Sequence, residues 1–152
     1  LSGVPLHQGG LLCVCGVAMA SGVVCDLRAR MIPLECCAAL LVAGGAYQLL
    51  RHGSIGIAEG AVAAAAVLAV CWTANRIARN SGGSVGFGDI RCMTALALAC
   101  GPATLLGAAA CYVSACAFSI AGMLTHRLGR RDGIPMAPFL SIWLAVGTTV
   151  LG

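Results

Sequence analysis

Apolar residues in this chain run in long stretches separated by short polar punctuation. Six stretches can be drawn, at roughly residues 10–25, 34–50, 55–75, 90–101, 103–124 and 136–151. None alternates polar with apolar positions, which argues against strands, including those of a membrane barrel. Spanning a bilayer takes about 20 helical residues, with a range near 17–25. The first and last stretches are short on that measure, and the fourth is shorter still. Gly101-Pro102 is a turn signal that divides an apolar run too long for one helix. The pattern predicts an all-α fold, a polytopic transmembrane bundle of about six helices. It forms a single transmembrane domain over residues 1–152, with no room for a separate soluble domain.

Composition makes the bilayer a requirement. Apolar residues are 60% of the 152 and charged residues 9%, with a mean hydropathy of +0.97. A soluble domain carries about 25% charged residues, so this chain has too few to clothe a surface in water. Its close helix contacts are expected from Gly56-x-x-x-Gly60 and the alanines around it (Ala61, Ala63 to Ala66, Ala69), since small residues let backbones approach where lipid gives no hydrophobic drive. Ten cysteines suggest a disulfide framework at first count, but most lie inside apolar runs, where cysteine packs as a small hydrophobe. Cys13-x-Cys15 and Cys36-Cys37 lack the spacing zinc uses. His7, His52 and His126 are scattered, so no metal site is expected.

The net charge of +4 rests on nine arginines and no lysine. They stand at the ends of apolar runs, which reads as control of topology and not as a nucleic-acid surface. If the first segment ends inside the cell, Arg28, Arg30, Arg76, Arg79, Arg91, Arg127, Arg130 and Arg131 all fall on the inner side. Only Arg51 is then outside. The longest polar loop, about residues 76–89, is rich in Gly and Ser and composed for flexibility.

Two aspartates stand at segment borders on that inner side. Asp89 follows the run Ser81-Gly-Gly-Ser-Val-Gly-Phe-Gly88 and opens an apolar helix; Asp26 closes the first apolar run. An ionisable group at the edge of a membrane segment is a functional candidate by default. The plainer account makes Asp89 a helix N-cap. Asp26, at a helix end where the dipole disfavours an anion, would then be paired with Arg28 or Arg30. Residue types alone leave both accounts open. A third possibility is a small transporter or channel component that passes protons or cations through the aspartates. That use favours acids near mid-membrane, whereas these lie at the ends.

Gly86-Phe87-Gly88-Asp89 resembles the GxGD signature of intramembrane aspartic proteases. Together with Asp26-Leu27-Arg28-Ala29-Arg30-Met31-Ile32-Pro33 it is similar to the type IV prepilin peptidases. A third stretch, Ile134-Pro135-Met136-Ala137-Pro138-Phe139-Leu140, matches the family's Ile-Pro-Phe-x-Pro-Phe-Leu at the start of the last segment. Order and spacing agree over about residues 10–147. Arg91 stands for the usual lysine, Leu34 for an asparagine, and Met136 for a phenylalanine. The presenilin and signal-peptide-peptidase branch pairs GxGD with Tyr-Asp in the preceding helix, a pattern absent here.

The resemblance implies an aspartic endopeptidase with Asp26 and Asp89 as its catalytic pair and no cofactor. Gly86, Phe87, Gly88, Arg28, Arg30, Arg91, Pro33 and Pro135 would shape the site. It also implies a multi-pass protein of the cytoplasmic membrane, its site facing the cytoplasm. The substrate would be a prepilin or pseudopilin, with a basic leader, a glycine at the cut and an apolar helix beyond. Long members carry an N-terminal domain that accompanies N-methylation of the product; this sequence holds none and starts at a residue other than Met, which leaves open both a preceding domain and methyl transfer. Glu35, in the first turn of its segment, is explained by the helix dipole.

Overall fold

The computed structural model describes residues 6–80, 86–126 and 134–149. All regular structure among them is helical. Helix α1 spans Leu6–Ala29, α2 Leu34–Asn80, α3 Phe87–Cys100, α4 Thr104–Leu124 and α5 Ala137–Thr149, with a 3-10 turn at Gly101–Ala103 joining α3 to α4. By length and composition the stretches 8–29, 34–79 and 87–124 can each cross a membrane, while α5 is shorter.

The six predicted segments map onto these elements once α2 is taken as two limbs. At Gly53 the backbone leaves helical geometry (φ 65°, ψ −151°), a conformation open in practice to glycine alone. The limbs fold back on one another. Leu41 from the first and Leu68 from the second line one cavity, and Gly44 and Gly60 meet neighbouring residues of α3. The expected loop from residue 76 begins later, because α2 continues helical to Asn80. The turn at Gly101-Pro102 is where the sequence places it, with Gly101 at φ 51° and its N–H returning to the Ala97 carbonyl.

Local chemistry explains the ends. α1 closes at Arg30, which adopts φ 52°, with Arg28 in its last turn. α2 carries Glu35 in its first turn and Arg79 in its last, each complementing the helix dipole. α3 is only 14 residues long, about 21 Å at 1.5 Å per residue, against a hydrocarbon core of about 30 Å.

α3 is the hub. Ile90, Cys92, Met93, Ala95, Leu96, Ala97, Ala99 and Cys100 are all buried; both limbs of α2, α4 and α5 pack around it, and α1 reaches it through Met19 against Cys92. Close approach rests on glycines, of which the expected set supplies Gly60, while Ala61, Ala65, Ala66 and Ala69 are exposed. Gly60 lies against the Leu98 carbonyl, Gly44 against Ala99, Gly107 against Trp143 and Gly147 against Cys100. Gln48 secures the far end of the hub by donating from Nε2 to the Ala99 carbonyl at 2.8 Å. The outer surface is apolar: Val17, Ile55, Val62, Leu105 and Val113 stand exposed, as a surface solvated by lipid requires. The cysteines behave as packing residues. Six are buried and all ten are free thiols.

Candidate active site

The Asp26 motif is a helix stop, a short connector and a restart. Asp26 sits in the last turn of α1, and its carbonyl accepts the Arg30 N–H at 2.9 Å as the helix ends. Residues 31–33 have no regular structure, and the Pro33 carbonyl accepts from Cys37 to begin α2. The connector folds Ile32 back beneath the motif. Its side chain lies beside Gly22 of α1, and its Cβ and backbone lie beside Gly88. One residue thus wedges between the turn before Asp26 and the glycine before Asp89, holding two distant motifs together.

Asp89 is the third residue of α3. The N-cap is Gly86, in extended geometry (φ −61°, ψ 137°), with no side-chain cap. The reading of Asp89 as an N-cap is therefore corrected: the chain turns into the helix at Gly86, three residues too early. The carboxyl instead folds toward Gly86, where a Cβ would stand 3.4 Å from Oδ2. Asp89 is partly buried, and its carboxyl lies near enough to Asp26 for the two to interact electrostatically.

Asp26 is 6% exposed. Its Oδ2 accepts the backbone N–H of Ala137, the first residue of α5, at 3.0 Å. Pairing with Arg28 or Arg30 does not occur among the described residues. Both arginines are exposed, and a helix N-terminus answers the carboxyl instead. Although Asp26 ends its own helix, tertiary packing brings it to the favourable end of another, so the argument from its local dipole fails. Ala137 lies between Pro135 and Pro138, which have no N–H to give. The third sequence stretch thereby presents a free donor at the point where Asp26 arrives. Sequence reasoning singled out that stretch but missed the donor, because a backbone group leaves no mark in residue type.

The expected site residues divide into two sets. Asp26, Asp89, Gly86, Gly88 and Pro33 gather at one end of the bundle, with Pro135 in the strand of coil that delivers Ala137 to Asp26. Arg28, Arg30, Arg91 and Phe87 stand around this end as exposed side chains. Arg127, Arg130 and Arg131, and the Gly/Ser run 81–85, lie outside the described residues. Below the carboxyls the core is rich in sulfur. Cys92 meets the Met19 thioether at 3.9 Å and Cys71 that of Met93 at 3.8 Å, contacts that suit polarizable packing groups.

Fold and site define a class: a polytopic helical membrane protein with two interacting carboxyls at one end of its bundle. The model of the type IV leader peptidase family matches residues 13–151. The chain belongs to that family, and is a peptidase embedded in the membrane. No curated protein and no solved structure gives a match.

Proposed function

We propose that the chain is an aspartic endopeptidase that removes the basic leader of a type IV prepilin or pseudopilin, cutting after glycine at the cytoplasmic border of the membrane. The observation that carries this reading is the meeting of the three motifs. Ile32 packs on Gly88 and Ala137 bonds to Asp26, which sets Asp26 and Asp89 together at one end of the bundle. Peptide hydrolysis by two carboxyls needs one to take a proton from water as it attacks the carbonyl carbon. The other, protonated, gives its proton to the carbonyl oxygen; the first then passes the proton taken from water to the leaving amine, and the second recovers its own from the diol hydroxyl as the carbonyl re-forms. With Oδ2 of Asp26 engaged by Ala137, Oδ1 is the oxygen left for water and proton transfer. The exposed backbone at Gly86 suits an extended substrate lying against it. A border position for the pair fits a substrate whose polar leader gives way to an apolar helix.

The test is to incubate the purified protein with a candidate prepilin and weigh the products. Wild type should release the leader after glycine. Asp26→Asn and Asp89→Asn should each lose cleavage while inserting and purifying normally. Near-normal cleavage by either variant removes the pair from the chemistry.

A further inference from the structure

Beside the GxGD turn, but outside the carboxyl pair, is a cavity of about 230 Å³ lined by Trp72, Asn75, Arg76, Arg79 and Phe87. It lies where α2 ends and α3 begins, at the border end of the bundle. Arg76 and Arg79 are exposed and one helical turn apart on α2, so they present two guanidinium groups to one side. Neither forms an ion pair with a carboxylate among the described residues; Arg76 stacks instead over the Trp72 ring at 5.6 Å. Asn75, 6% exposed, supplies a buried amide to the wall. Phe87, the first residue of α3, closes the wall on that side. The nearby Asp89 carboxyl is turned toward Gly86 and does not line the cavity.

Setting the topology of a helix explains arginines at this level, but not their convergence on a cavity with no carboxylate among its described lining residues. We propose that this cavity binds the phosphate of an anionic phospholipid headgroup, a site separate from that of the peptide substrate. Guanidinium groups match phosphate oxygens in bidentate geometry. Trp72 and Phe87 are 58% and 67% exposed, and aromatic rings at a membrane border sit at headgroup level. These walls favour a phosphate tethered to acyl chains over free phosphate. A basic leader peptide is repelled by the same two charges.

The experiment reads lipid binding and not cleavage, so it stands whether or not the peptidase reading holds. Full-length protein is reconstituted in phosphatidylcholine nanodiscs with and without phosphatidylglycerol, and retained lipid is counted by native mass spectrometry. Wild type should keep one phosphatidylglycerol selectively. Arg76→Gln/Arg79→Gln should weaken that binding about thirtyfold, each arginine at an anionic surface contributing about fivefold. Arg76→Lys/Arg79→Lys should fall between, keeping charge but losing bidentate geometry. Arg51→Gln, at the opposite end and engaged with Tyr47, should bind as wild type. Unchanged selectivity in the double glutamine variant overturns the proposal. So does competition by millimolar inorganic phosphate, which would mark a site for free phosphate. Displacement of the lipid by an acidic peptide at one equivalent would assign the cavity to a protein ligand and overturn it equally.

Discussion

The backbone N–H of Ala137 donates to Asp26 Oδ2 across 3.0 Å, joining positions 111 apart in sequence. Ala137 is buried at 1% exposure and Asp26 at 6%, so the bond is shielded from bulk solvent. Its donor can be deleted without changing any functional side chain. Ala137→Pro keeps a residue suited to the first position of a helix but removes the N–H. Losing a hydrogen bond to a charged group costs about 1.5–3 kcal/mol, so cleavage should fall about 10- to 100-fold. Ala137→Gly keeps the donor and should retain most activity. Equal activity in the two variants, measured as kcat/KM on one prepilin, would show that the bond does not position Asp26.

This bond also marks how far the sequence could be read. The helices were legible because each apolar run has its own ends, at Arg30, Gly53, Gly101 and the glycines before Asp89. The aspartates were legible because an acid at a membrane border needs a reason to be there. Their surroundings were not. The dipole argument looked along Asp26's own helix, but the packing of α5 supplies the helix end that counts. Arg28 and Arg30 looked like partners from their nearness in sequence, yet the chain turns left-handed at Arg30 and leaves both exposed. Ile32, which ties the two aspartate motifs together, is one aliphatic residue in a chain full of them, and only the fold gives it a neighbour.

Gly44 tests the hub directly. A Cβ there would stand 2.4 Å from the Ala99 Cβ and 3.0 Å from its Cα, so Gly44→Ala has to push α3 away from α2. Overpacking of this kind costs about 1–3 kcal/mol. Because α3 carries Asp89, a displaced hub should also slow cleavage. Gly16→Ala, where no heavy atom lies within 4 Å, should be neutral in both respects. Unfolding in graded denaturing detergent compares the two. Equal stability would mean that α2 and α3 do not touch at Gly44.

Gly53 makes a different kind of demand. A Cβ there meets nothing within 4 Å, yet the backbone holds φ at 65°. Gly53→Ala should therefore destabilise through conformation alone, by about 1–3 kcal/mol. The loss should match that of Gly53→Ser, because neither side chain meets a neighbour. Asn tolerates positive φ only in the left-handed helical region, not at ψ −151°, so Gly53→Asn should recover none of the stability. A series in which stability falls steadily with side-chain volume would point to crowding instead, and against the turn described for α2.

The last prediction concerns sides. Eight of the nine arginines fall on one face if α1 ends in the cytoplasm, and arginine excess is retained on the cytoplasmic side during insertion. The carboxyl pair then faces the compartment in which a basic leader remains. Labelling with a membrane-impermeant thiol reagent can test this, in a background without native cysteines. All ten cysteines are free thiols, so their replacement by alanine breaks no cross-link, although the buried ones cost some packing. Thr125 follows α4 on the proposed inner side, and His52 precedes the Gly53 turn on the outer side; both are exposed. In intact cells His52→Cys should label and Thr125→Cys should not, and permeabilisation should expose the second. The reverse pattern would set Asp26 and Asp89 on the face away from the leader. Leader removal at that pair would then be excluded, whatever the geometry of the two carboxyls.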